Sequence, residues 1–305
     1  MLRKPPVVRP GDRVAIIAPA GPFDRASFDA GLAVLERRYR VQYDTRLFER
    51  FRYLAGDDSR RLEELGSALA DPGIKALFCA RGGYGTMRLI PRLAPPVAPK
   101  PVVGFSDITA LHLWIQRQGA ASIHGPVVTQ LGHQPEATRQ RLFGLLESTS
   151  AAPSLQGTDT YVGGTVEGPL VGGNLAVLSR LLGTAYLPSL EGAILLLEDV
   201  GERPYRLDRM WTHLALAGVF RHVRGLVLGS FSACEERDAD YTSADVLRTL
   251  AAETGLPCAA GFPIGHGEIN EAVPLGVRVR LDADARRLEF LEASTREPTS
   301  RDPGD

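Results

Sequence analysis

The chain has 305 residues, with 35 Lys+Arg against 36 Asp+Glu and a formal net charge of -1, which excludes a nucleic-acid binder driven by charge. At 44% hydrophobic and 23% charged residues the composition is that of an ordinary globular protein, so disorder and small disulfide scaffolds are set aside. Apolar runs such as 193–197 and 226–228 fall far short of the ~20 residues that span a bilayer, and residues 1–10 carry no apolar signal core before their prolines. A cytoplasmic protein with no membrane partner is expected.

The first half repeats a pattern of strand, loop and helix, an α/β signature. Residues 13–18 (RVAIIA) read as a strand entering the loop 19–22, and 28–35 suits a helix. Residues 74–80 (IKALFCA) read as a second buried strand, entering Arg81-Gly82-Gly83-Tyr84-Gly85. A third, short strand over 101–104 runs into Phe105-Ser106-Asp107, after which Ile108, Leu111 and Ile115 lie at helical spacing until Gly119. Three strands therefore end in loops bearing Gly or Ser, and open parallel sheets bind ligands at the carboxyl ends of their strands.

From Glu147 to Gly168 the chain turns to Ser, Thr, Ala, Pro and Gly with little periodicity. This places a linker over 149–167, between a domain of residues 1–148 and one of 168–305. Beyond it come Gly172-Gly173-Asn174, a helix through Leu175, Leu178 and Leu181, and a strand over 193–197 followed by Glu198. Pro204 opens a helix whose stripe is Leu207, Met210, Trp211, Leu214 and Ala217. A strand over 225–231, a helix over 244–254 and a hairpin of 277–281 with 288–291 follow, and the polar tail 294–305 is expected to fray. Cys79, Cys234 and Cys258 sit among apolar residues without a CxxC spacing, as reduced packing residues do.

Four features can carry chemistry. Ser106 stands on a sharp turn between a strand and a helix start, the placement of a nucleophile elbow, with the N–H of Asp107 aimed where an oxyanion would form. The second glycine of G-x-S-x-G is absent, and a helix-capping serine is the plain alternative. The Gly82-Gly83 turn can approach a bound group closely and make an anion-binding concavity. As a dinucleotide loop it lacks a third glycine, because Arg88 stands there, and no P-loop sequence occurs, so no cofactor is expected.

Glu198 follows a run of aliphatic residues, where a solitary charge needs a partner. Taken alone, an ion pair with Arg203, Arg206 or Arg209 accounts for it, and Asp199 and Glu202 are rival acids. His266 lies between two glycines in a loop, the setting of a general base reaching into a cleft. The other histidines show no ligand spacing such as H-x-x-x-H, which argues against a metal. Together the serine, glycine loop, glutamate and histidine are the parts of a serine hydrolase.

The motifs RGGYG at 81–85, GFSDIT at 104–109, GGNL at 172–175, LEDVGERPYRLDR at 197–209 and GHG at 265–267 resemble, in order, the LD-carboxypeptidase family of serine peptidases, the muramoyltetrapeptide carboxypeptidases. The resemblance covers nearly the whole chain. It implies a flavodoxin-like parallel-sheet domain followed by a mixed α/β domain, with the site in the cleft between them. It also implies a triad of Ser106, Glu198 and His266, an oxyanion hole from Asp107, Gly82 and Gly83, and a homodimer.

The activity implied is hydrolysis of the L,D bond before the terminal D-alanine of murein tetrapeptides during cell-wall recycling, with no metal. Arg81 is a candidate for the substrate carboxylate, or a solvated strand-end arginine. Asn174 is a candidate substrate contact, or a left-handed turn residue. The family also holds microcin C immunity hydrolases, which cut aminoacyl-nucleotide conjugates. The compact stretch between Ser106 and Glu198, and the placement of Trp114 and Trp211 in helices, favour the murein substrate. A peptide-binding protein without turnover is the reading from a different class.

Overall fold

The computed structural model describes residues 2–96 and 98–299. Its first sheet takes β1 (Arg13–Ile17), β2 (Arg40–Gln42), β3 (Ala76–Cys79), β4 (Val102–Gly104) and β5 (Ser122–His124) in the order β2-β1-β3-β4-β5, all parallel. This is the flavodoxin-like order. The central strands are aliphatic because helices cover both faces: β3 reads ALFC with every residue buried. Asp24 starts the covering helix Arg25–Glu36, its carboxylate accepting the Ser27 N–H at 2.7 Å.

The second sheet is mixed. Along the chain come β6 (Leu155–Gln156), β7 (Asp159–Val162), β8 (Thr165–Asn174), β9 (Ile194–Val200), β10 (Gly225–Ser232), β11 (Cys258–Ala260), β12 (Val273–Leu275), β13 (Arg278–Asp282) and β14 (Arg287–Phe290). The spatial order is β6-β14-β13-β8-β9-β10-β11-β7, with β8 to β11 parallel and antiparallel strands at both ends. The exception is β12, which leaves this half and pairs antiparallel with β5 (Val273↔His124) at the edge of the first sheet. Side chains from both halves, among them Leu111, Trp114, Val171, Leu175 and Leu197, share one apolar cluster.

Several expectations change in detail. The stretch 149–167 carries β6, β7 and the start of β8, because its strands pair with partners far along the chain and need no local periodicity. The tail is ordered at its start: Ser294 and Thr295 are buried and Arg296 pairs with Pro6; residues 300–305 lie outside the described residues. Glu198 lies within β9, opposite Asn174 of β8, and does not follow the strand.

The helix Pro204–Leu216 buries Leu207, Met210, Trp211 and Leu214 as expected, whereas Ala217 ends it and is exposed. The three cysteines are free and buried, and burial pushes their thiols up. Among the described residues no helix is long and apolar enough to cross a membrane.

Candidate active site

β3 and β4 run in parallel register, Phe78 beside Val103, so the loops after them emerge at the same edge of the sheet. The loop after β4 carries Ser106. Phe105 is extended, and Ser106 then takes φ 64°, a left-handed conformation that an L side chain adopts at some cost, before a short turn over Ser106–Ile108 leads into the helix Thr109–Arg117. Backbone strain of this kind concentrates at functional residues. The loop after β3 brings Gly82 against the same serine. A Cβ built on Gly82 would lie 2.8 Å from Ser106 Cβ and 3.0 Å from its Oγ, so only glycine leaves the hydroxyl its space.

The carboxylate of Asp107 fixes the two loops to one another. It is 2% exposed and accepts the N–H of Thr86 at 2.8 Å, at the start of the turn of helix Thr86–Leu89 that follows the glycines. Burial pushes its carboxyl up, opposed by that hydrogen bond. Beneath the loops lies Arg61, fully buried, whose guanidinium donates to the Pro19 carbonyl and to Asp58. Sequence reasoning passed over both roles, since nothing in the motif distinguishes the side chain of Asp107 from its N–H.

The second half supplies the Glu198 and His266 side chains. Glu198, 0% exposed, accepts from Nδ1 of His266 at 2.6 Å through Oε2, while its Oε1 has no partner among the described residues. The arginines weighed as its alternatives are engaged elsewhere, Arg203 with Glu236, Arg206 with Glu202 and Arg209 over the Tyr205 ring. Gly265 sits at φ +105°, and a Cβ there would fall 2.3 Å from Glu198 Oε2. A glycine before the histidine therefore meets both a conformational and a steric demand. The His266 ring packs against Phe105, the neighbour of Ser106, with centroids 4.6 Å apart.

The remaining candidates have distinct places. Asn174 is 5% exposed; its carbonyl oxygen caps the helix Leu175–Leu181 and its amide donates to Asp199 at 3.0 Å. With φ -65° it is not left-handed, and its side chain is spent on structure. Its backbone N–H donates to Thr109 Oγ1 at 2.9 Å, joining the two halves three residues from Ser106. Burial pushes the Asp199 carboxyl up to about 6. Arg81 is exposed beside the glycine loop and donates to the Pro22 carbonyl. Behind Phe105 lie His112 and His124, both fully buried; burial pushes His112 down to about 4 and His124 well below its ordinary value, so both are neutral.

Missed by sequence reasoning is Asn270, 0% exposed, whose Oδ1 accepts the Gly265 N–H at 2.9 Å. An asparagine in a loop gives no signal of that kind.

Residues 14–125 match the LD-carboxypeptidase N-terminal domain and residues 167–281 its C-terminal domain. The chain is 38% identical to the murein tetrapeptide carboxypeptidase of Pseudomonas aeruginosa over 291 residues, 90% of this chain and 94% of that protein. The crystal structure of a muramoyltetrapeptide carboxypeptidase from Oxalobacter formigenes superposes with a TM-score of 0.82 at 29% identity, over 94% of this chain and 100% of that one. The microcin C7 self-immunity protein MccF in complex with glutamyl sulfamoyl guanosine shares the fold, with a TM-score of 0.88 at 21% identity over 96% of this chain and 99% of that one. The chain belongs to the LD-carboxypeptidase family and is a serine-type carboxypeptidase.

Proposed function

We propose that the protein hydrolyses the bond between the L-configured centre of a diamino acid and the terminal D-alanine of murein tetrapeptides, in the cytoplasm, during cell-wall recycling. The observation that carries the chemistry is the buried Glu198–His266 pair at 2.6 Å, its imidazole packed on Phe105, the residue before a serine in left-handed conformation. In this reading His266 takes the proton of Ser106 Oγ as the oxygen attacks the scissile carbonyl. Glu198 holds the imidazole in the tautomer with Nδ1 protonated and stabilises the imidazolium. The N–H groups of Asp107 and of the Gly82-Gly83 turn receive the oxyanion.

His266 then returns the proton to the leaving amine of D-alanine, and water releases the acyl group by the same steps in reverse order. Arg81 takes the free carboxylate, with guanidinium nitrogens beyond the one donated to Pro22.

The murein substrate is supported by what the Pseudomonas and Oxalobacter relatives are named for. It also accords with the burial of Trp114 and Trp211, at 3% and 2% exposure, which leaves neither tryptophan to stack a base. The family resemblance further suggests a homodimer, which sedimentation velocity tests. The deciding assay is release of D-alanine from a murein tetrapeptide by wild type and Ser106→Ala, with chelator present. Release by wild type alone is expected; release by both refutes the serine, and none from either refutes the substrate.

A further inference from the structure

The loop that presents His266 is held from the other half of the molecule. Its ends are tied by the Glu271 N–H donating to the Pro263 carbonyl at 2.7 Å. Inside it, Asn270 reaches back across five residues to accept the Gly265 N–H. Asn270 is in turn gripped from the first half: its own N–H donates to Gln134 Oε1 at 3.0 Å and its Nδ2 to Gln130 Oε1 at 3.4 Å. Gln134 completes the grip by donating from Nε2 to the Glu268 carbonyl at 3.2 Å.

Gln130 lies in the short helix Val128–Leu131, and Gln134 in the bend that follows it. The helix Val128–Leu131 is pinned to the end of β3, where the N–H and Oγ1 of Thr129 both donate to the Ala80 carbonyl at 3.1 Å. Ala80 lies two residues before Gly82. The same frame therefore carries the glycine turn beside Ser106 and the amides that hold the histidine loop.

We propose that Gln130, Gln134 and Asn270 are positioning residues for His266, setting the Gly265 turn so that Nδ1 meets Glu198 and the ring faces the serine of the other half. The role rests on the triad assigned above. Among the described residues none of the three hydrogen-bonds His266 itself; they act through the backbone of Gly265 and Glu268. Because Gly265 stands at φ +105° with Glu198 Oε2 against it, small rotations of this turn move the imidazole relative to the carboxylate. Misplacement of a catalytic group by about 1 Å costs on the order of a hundredfold in rate.

The test compares Gln130→Met, Gln134→Met and Asn270→Ala by two readouts. The first is the Nδ1 proton resonance of His266 in the NMR spectrum of the free protein, identified by its loss in His266→Ala and its upfield shift in Glu198→Gln. The second is the split between kcat and KM for D-alanine release. We expect the resonance to shift upfield or broaden in each folded variant, and kcat to fall about tenfold to a hundredfold with KM within about twofold.

The methionine variants keep the bulk of glutamine and guard against a misfolded Asn270→Ala. An unchanged resonance in folded Gln130→Met and Gln134→Met overturns the proposal, as does a loss confined to KM. If wild type releases no D-alanine, the substrate reading fails while the resonance still decides the positioning role.

Discussion

Replacing Glu198 by Gln isolates the charge behind His266. The amide keeps an oxygen able to accept from Nδ1 at the 2.6 Å contact, so the geometry survives while the negative charge is removed. At about 4 Å between the carboxylate and the centre of the imidazolium, and an effective dielectric of about 20, the lost attraction is about 4 kcal/mol. Since each 1.36 kcal/mol is about tenfold in rate, kcat falls about a thousandfold. KM stays within about twofold, because Glu198 is buried and reaches only the histidine.

Stability moves little, since two effects oppose. The substitution relieves a buried charge whose Oε1 has no partner, but it leaves an amide N–H₂ unpaired at that place, a cost of about 1–3 kcal/mol. Steady-state release of D-alanine, together with calorimetric Tm for both proteins, checks this. A folded variant with kcat within tenfold of wild type would refute the reasoning, since Glu198 would then be a structural carboxylate.

Two further outcomes follow from the same geometry. Ser106→Gly relieves the left-handed φ of 64°; with the extra entropy of glycine in the unfolded chain set against that relief, Tm is expected to rise by about 1–2 °C for a gain of about 1 kcal/mol, with activity lost. A lower Tm by calorimetry would show that the serine conformation is unstrained. His112 is kept neutral by burial, its pKa down to about 4 from 6.5, so the unfolded chain binds the extra proton. Its stabilising contribution is complete above pH 6.5 and is lost as pH falls towards 4, by about 3 kcal/mol. In urea unfolding, His112→Gln should flatten this acid limb, and an unchanged slope would count against it.

What was legible in the sequence is what local pattern encodes. The aliphatic runs gave β1, β3, β4, β9 and β10 to within a few residues. Glu198 and His266, chosen as a strand carboxylate and a loop histidine 68 positions apart, share a hydrogen bond. What stayed hidden depends on partners distant in the chain. β6 and β7 are short and find their neighbours in β14 and β11. Asn270 and Gln134 look like ordinary surface amides, yet they are 0% and 7% exposed: Gln134 accepts the Asn270 N–H and donates to the Glu268 carbonyl, while the Asn270 side chain accepts from Gly265 and donates to Gln130. The hydrogen bonds of Asn174 were hidden for a related reason: within a Gly-Gly-Asn turn nothing local shows that the asparagine caps a helix and braces Asp199.

The placement of β12 bears on how the protein is made. A ribosome delivers β5 about 150 residues before Val273–Leu275, and until those residues emerge the first sheet ends in an unpaired strand, the kind of edge that recruits other chains. The half carrying Ser106 thus waits, unfinished at that edge, for the same stretch of polypeptide that has just delivered His266. A nascent chain, or one that ends before Val273, is therefore left with an exposed strand edge. Synthesis order thus makes the closing of the first sheet a late event, ahead of only β13 and β14 among the described strands.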